Sequence, residues 1–80
     1  MPATLEEVRN VILQEFPDAD PEDVVEEDHR IFGTIRSREF KPIKDSTERN
    51  RLVTTKVRDR LGLRGLNVGI LFPRAPGEKH

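Results

Sequence analysis

Apolar residues recur at Leu5, Val8, Ile12 and Phe16, one stripe of helical period widened by Val11. Thr4 stands before the stripe and Glu7 three residues after it, the spacing of a capping box. Pro17 disfavours a helical Phe16, so a first helix is predicted to end near Glu15. The period then changes. In Ile31–Arg38 the pattern reads as a strand, with Ile31, Gly33 and Ile35 on one face and Phe32, Thr34, Arg36 and Arg38 on the other. Gly33 in mid-strand predicts a bulge or a close helix overhead. A turn follows over 41–46 and carries Pro42. Asp45 with Glu48, or Ser46 alone, caps a second helix whose inner face holds Leu52, Val53, Val57 and Leu61. Gly62 fits its C-terminal cap. Leu66, Val68, Ile70 and Phe72 then alternate with Asn67, Gly69 and Leu71, predicting a last strand stopped by Pro73.

Between the first helix and Ile31 the pattern supports two readings. Asp20 with Pro21 suits a single helical turn. Val24-Val25 suits a short edge strand and is preferred, because β-branched pairs favour extended backbone. The resulting order is α-β-β-α-β: one small α+β domain over 1–80, with two helices on one face of a three-stranded mixed sheet. The expected core is Leu5, Val8, Ile12, Ile35, Leu52, Val57, Leu61, Val68 and Ile70. Ordered structure is expected over about 4–73, with a flexible tail at 74–80.

Composition narrows the function classes. There is no cysteine, so disulfides, thiolate metal sites and a cysteine nucleophile are excluded. The first residues have neither a basic nor an apolar signal-peptide region, and no apolar run reaches membrane-spanning length. A cytoplasmic location without a membrane role is the expectation. No serine has a sequence-level sign of a base, no glycine-rich phosphate loop occurs, and the acid pairs read as a helix first turn and a solvated loop. A non-enzymatic protein is expected, with no cofactor.

The net charge of −1 conceals a division. Residues 1–29 hold ten acidic side chains and one basic, a balance of −9, whereas residues 30–80 hold thirteen basic and five acidic, a balance of +8. Arg49, Lys56 and Arg60 share one side of the second helix. Arg51, Arg58 and Arg64 broaden the patch, as do Arg36 and Arg38 from the strand. Such a face suits phosphates or an acidic protein partner. The alternative is neutralisation by the acidic segment 18–28. With neither Trp nor Tyr, and with all four Phe at positions a core can use, base stacking finds little support. Gly62-Leu63-Arg64-Gly65 has the form of the KH-domain GxxG loop, or else of a helix cap and tight turn. His29, beside Asp28, is the one candidate metal ligand within the fold; its other reading is a solvated loop residue. His80 is terminal.

Three motifs carry a resemblance. Ser37-Arg38-Glu39-Phe40 is similar to a Ser-x-x-Phe at the end of a second strand. Arg49-Asn50-Arg51-Leu52-Val53 is similar to an Arg-His-Arg-Leu-Val helix signature. The last strand with Pro76-Gly77-Glu78 is similar to a closing strand and its Thr-Pro-Glu-Glu end. Together, over residues 4–78, they resemble the BolA-like family, small α/β domains related in shape to type II KH domains. The resemblance implies an adaptor that binds a monothiol glutaredoxin and shares a [2Fe-2S] cluster with it. In the family a last-strand histidine helps to bind that cluster, with a second ligand from the loop between the first two strands, where His29 sits. The chain departs at the histidine positions: the helix histidine is Asn50 and the last-strand histidine is Asn67. Asparagine is a poor iron ligand, so cluster sharing is not expected. A KH-like nucleic-acid module acting through the basic helix is the rival function.

Overall fold

The computed structural model describes residues 2–77. Helix α1 spans Leu5–Glu15 and opens with the expected box. The Glu7 amide donates to Thr4 Oγ1 at 3.1 Å, and the Thr4 amide donates to Glu7 Oε1 at 3.2 Å. Both readings of the following segment hold in succession. A single 3₁₀ turn at Pro21–Asp23 is capped by Asp20, and strand β1 runs from Val24 to Glu27. The Arg9 guanidinium ties β1 to α1 by donating twice to the Val24 carbonyl, at 2.7 and 3.1 Å.

Strand β2, Arg30–Arg36, returns antiparallel to β1 through Asp28 and His29. Both have positive φ, 51° and 64°, the two-residue hairpin geometry whose twist matches the flanking strands. A 3₁₀ turn at Arg38–Phe40 ends the strand earlier than expected, so Arg38 lies outside it. Helix α2, Ser46–Val53, is capped by Asp45, which accepts from the Thr47 amide at 2.8 Å. A π-helical turn, Thr54–Arg58, joins it to the short α3, Asp59–Leu61. The continuous helix 46–61 is the crossover to strand β3, Val68–Arg74, which pairs parallel to β2. The sheet order is β1-β2-β3, so β1 and β3 are its edges.

The core lies between the helices and one sheet face. Val8, Ile12, Phe16, Val24, Ile31, Ile35, Phe40 and Val57 are fully buried. Phe16 and Phe40 pack ring on ring at 5.2 Å. Leu5, Leu52 and Leu61 are partly buried against this cluster.

The last strand corrects the expected alternation. Ile31 pairs with Val68 but Gly33 pairs with Leu71, so β3 carries one extra residue at this point. A one-residue bulge moves every later side chain to the opposite face. Val68, Leu71 and Ala75 are therefore buried, while Ile70 is 64% exposed and Leu66 is exposed. Pro73 does not stop the strand; an edge strand tolerates the missing donor. The outer edge of the core thus reaches Ala75, beyond the expected boundary at 73. A register shift does fall beside Gly33, and the backbone close to it is that of Asp23 and Val24. A Cβ at Gly33 would stand 2.1 Å from the Asp23 carbonyl oxygen, so the turn before β1 crosses directly over it.

Candidate functional site

The hairpin turn, helix α2 and the start of β3 enclose an open groove of about 780 Å³. Asp28, His29 and Arg30 form one wall. Asn50, Val53, Thr54 and Arg58 form the helical wall, and residues 66–71 complete the lining. The π turn puts Thr54 and Arg58 on the groove wall while Val57 points into the core. Insertions of this kind re-aim side chains and recur at functional sites. The bulge turns Ile70 outward, and the 3₁₀ segment Gly62–Asn67 presents Leu66. The two are 64% and 72% exposed, an apolar strip within a rim of histidine and arginine.

His29, Asn50 and Asn67 come from three distant stretches and line this one groove. They are the positions singled out by the family resemblance. The Asn67 amide is already engaged, donating to the Ala3 carbonyl at 3.0 Å. One imidazole and two carboxamides do not make an iron–sulfur ligand set. Among the described residues no group of three histidine, aspartate or glutamate side chains is placed to hold a metal ion; His80 lies outside the described residues.

The expected cationic face is not a single surface. Arg49 is a correction: it is 7% exposed and donates to the Phe40 carbonyl at 2.8 Å and to the Ile43 carbonyl, clasping the turn before α2. Arg60 pairs with Glu15 at 3.0 Å and bonds Gln14. Arg64 pairs with Glu7. Lys56 pairs with Glu39 at 3.6 Å and lies 5.4 Å from the centre of the Phe16 ring. Arg38 pairs with Asp18 at 3.5 Å. Arg36 lies on the sheet, pointing away from the helices, and Arg51 is exposed. Glu15 and Glu39 meet helix 46–61, Glu7 meets Arg64 just after it, and from segment 18–28 Asp18 pairs with Arg38 while Asp28 shares the groove with Arg58.

Hydrogen bonds and charge tune two of these acids. The Thr4 amide, and after it Arg64, holds Glu7 below the ordinary carboxylate value. The Arg38 amide and then the Ser37 hydroxyl hold Asp18 down likewise.

The GxxG-like loop resolves into a helix end. Gly62 caps α3 with φ at 62°. Gly65 is buried, and a Cβ there would lie 3.1 Å from the Arg58 carbonyl oxygen. The segment passes through a 3₁₀ helix into β3 and does not link two α-helices. Sequence reasoning placed Arg58 in the basic patch and Leu66 and Ile70 in the last strand, and missed that the three line one groove. The available signal was two leucines, Leu63 and Leu66, in a glycine-flanked turn, where a buried role is unusual. Among the described residues no helix is long and apolar enough to cross a membrane. The chain matches no protein-family model, no curated protein and no solved structure.

Proposed function

We propose that this chain is a non-enzymatic adaptor of BolA-like type that takes a protein partner, of monothiol glutaredoxin class, in the groove between the hairpin turn and helix α2. The observation that carries the reading is the exposed pair Leu66 and Ile70 set inside a rim of His29, Arg30, Asn50 and Arg58. An apolar centre with a polar, partly cationic rim is the anatomy of a protein interface. A phosphate site would have no use for the two aliphatic side chains. The α-β-β-α-β order and the convergence of His29, Asn50 and Asn67 support the family reading. The donor set does not fit a shared cluster, so binding rests on surface contact alone. The rival, a nucleic-acid module built on helix 46–61, is disfavoured because Lys56 and Arg60 on it, and Arg64 just after it, already have intramolecular acids.

Titration calorimetry with a purified monothiol glutaredoxin tests the proposal. A one-to-one complex is expected, weakened at least about tenfold by Ile70→Glu, since burying an unpaired charge at an interface centre is costly. The absence of a complex, or a complex indifferent to both Ile70→Glu and Leu66→Glu, refutes it.

A further inference from the structure

Among the described residues, two arginines of the groove lining meet no acid. Arg58 is exposed on the π turn and Arg30 is exposed at the start of β2, and both line the groove. Lys56 and Arg60, two residues before and after Arg58, do have acids. Asp28 shares the lining, and Glu27 stands opposite Arg30 across the hairpin, yet neither forms an ion pair with these arginines. The titratable lining is therefore two arginines against one aspartate, with the His29 imidazole between them in sequence.

The apolar strip beside them is longer than the groove. A second hollow, of about 440 Å³, is lined by Pro2, Leu63 and Arg64, and it shares Leu66 and Asn67 with the first. Leu63 is 86% exposed, Leu66 72% and Ile70 64%. The three aliphatic side chains thus run from the second hollow, through the shared Leu66, into the groove. Contiguous exposed apolar residues rimmed by polar ones mark a contact surface. Arg64, in the second hollow, is held by Glu7, so the arginines without acids belong to the groove alone.

Building on the reading that a protein takes this groove, we propose that it docks through an acidic amphipathic segment. The aliphatic side chains of that segment cover Leu63, Leu66 and Ile70, and its carboxylates meet Arg58 and Arg30. Charge selects the segment. A guanidinium fork with no acid in its own fold accepts a carboxylate in two parallel hydrogen bonds. A lysine-bearing segment would instead meet two like charges. A bare anion would leave the aliphatic row uncovered, whereas apolar cover excludes water and strengthens the charge pairs beside it. The carboxylates belong at the Ile70 end of the contact, because Arg30 and Arg58 do not reach the second hollow.

The test is NMR titration of the isotope-labelled protein with two blocked peptides of about twelve residues, one of leucine and glutamate and one of leucine and lysine. The glutamate peptide is expected to move the amides of 28–30, 54–58 and 63–70, and the lysine peptide to leave them in place. Raising salt from about 50 to about 300 mM should weaken binding several-fold. Arg58→Glu should weaken it about tenfold. Arg58→Gln, which keeps most of the apolar stem, should weaken it about threefold. Lys44→Glu makes the same charge change at an exposed site outside both hollows, and should stay within about twofold. Equal binding of the two peptides, or no shifts with about 1 mM glutamate peptide, overturns the proposal. So does an Arg58→Glu effect no larger than that of Lys44→Glu. A concentration-dependent dimer abolished by Arg58→Glu would assign the groove to a second copy and overturn it as well. Titration calorimetry with a monothiol glutaredoxin separates the acidic segment from the choice of partner. A complex weakened by Ile70→Glu but indifferent to Arg58→Glu and to salt overturns the acidic segment alone. No complex, beside intact binding of the glutamate peptide, overturns the glutaredoxin assignment and upholds the acidic segment.

Discussion

Asp18 accepts a hydrogen bond from the buried Ser37 hydroxyl across 2.7 Å, joining the loop after α1 to the end of β2. The same carboxylate accepts from the Arg38 amide at 2.8 Å, and Ser37 Oγ accepts in turn from the Glu39 amide at 3.2 Å. The Ser37 amide donates to the Arg74 carbonyl at 2.9 Å. One serine therefore fastens the acidic loop, the turn at Arg38–Phe40 and the last strand. Phe40, three residues on, drops into the core against Phe16.

Asp18 makes stability depend on acid. Its folded pKa lies below the ordinary 3.8, chiefly through the Arg38 amide and then the Ser37 hydroxyl. A depressed folded pKa contributes stability above the unfolded value, and the contribution is lost as pH falls through the folded value. Asp18→Asn is expected to destabilise by about 1 kcal/mol at pH 7, with the difference from the parent shrinking below about pH 3.8. Urea titrations at pH 7 and pH 3 measure both; an equal difference at the two pH values would contradict the assignment.

Arg49 acts as a fastener of the fold. Its fork satisfies the Phe40 and Ile43 carbonyls from inside the protein. Arg49→Ala is expected to cost about 2–4 kcal/mol, because those acceptors lose a charged donor. Arg49→Lys should recover only part, since an ammonium cannot reproduce the planar fork. Denaturant midpoints decide it. Loss of ligand binding with unchanged stability would place Arg49 on the surface instead.

The bulge predicts opposite outcomes at neighbouring positions of β3. Ile70→Ser, at a site 64% exposed, should change stability by no more than about 0.5 kcal/mol. Leu71→Ala, at 6% exposure, should cost about 2–4 kcal/mol. Thermal unfolding of the two variants checks the phase of the strand, and uninterrupted alternation from Val68 would reverse their order.

Gly33→Ala is expected to be among the most damaging small substitutions. The added methyl would meet the Asp23 carbonyl oxygen at 2.1 Å, and the backbone φ of 151° is one that side chains rarely adopt. Either the turn before β1 must shift or β1 must leave the sheet, at a cost of about 2–4 kcal/mol. Amide exchange in Val24–Glu27 should accelerate in this variant; protection equal to that of the parent would sink the account.

Local information determined the elements of this protein. Thr4 with Glu7 marks the start of α1, and Asp45 that of α2, because capping is settled within three residues of chain. The stripes through Ile12 and Val57 and the strand through Ile31 and Ile35 were legible for the same reason: period alone reports which side faces a core. Tertiary structure decided the rest. One extra residue beside Phe32 reversed the later half of β3, and no propensity of Gly69 or Ile70 announces a register shift against a strand far away in sequence. The same shift exposed Ile70 in the groove and Phe72 farther along the strand. Arg49 and Arg51 look alike in the chain, yet one clasps two carbonyls inside while the other faces water. Glu7 and Glu15 meet Arg64 and Arg60 only once α1 lies against helix 46–61. Whether a charge is free to bind depends on what the fold brings within about 4 Å of it, a distance that sequence spacing does not encode.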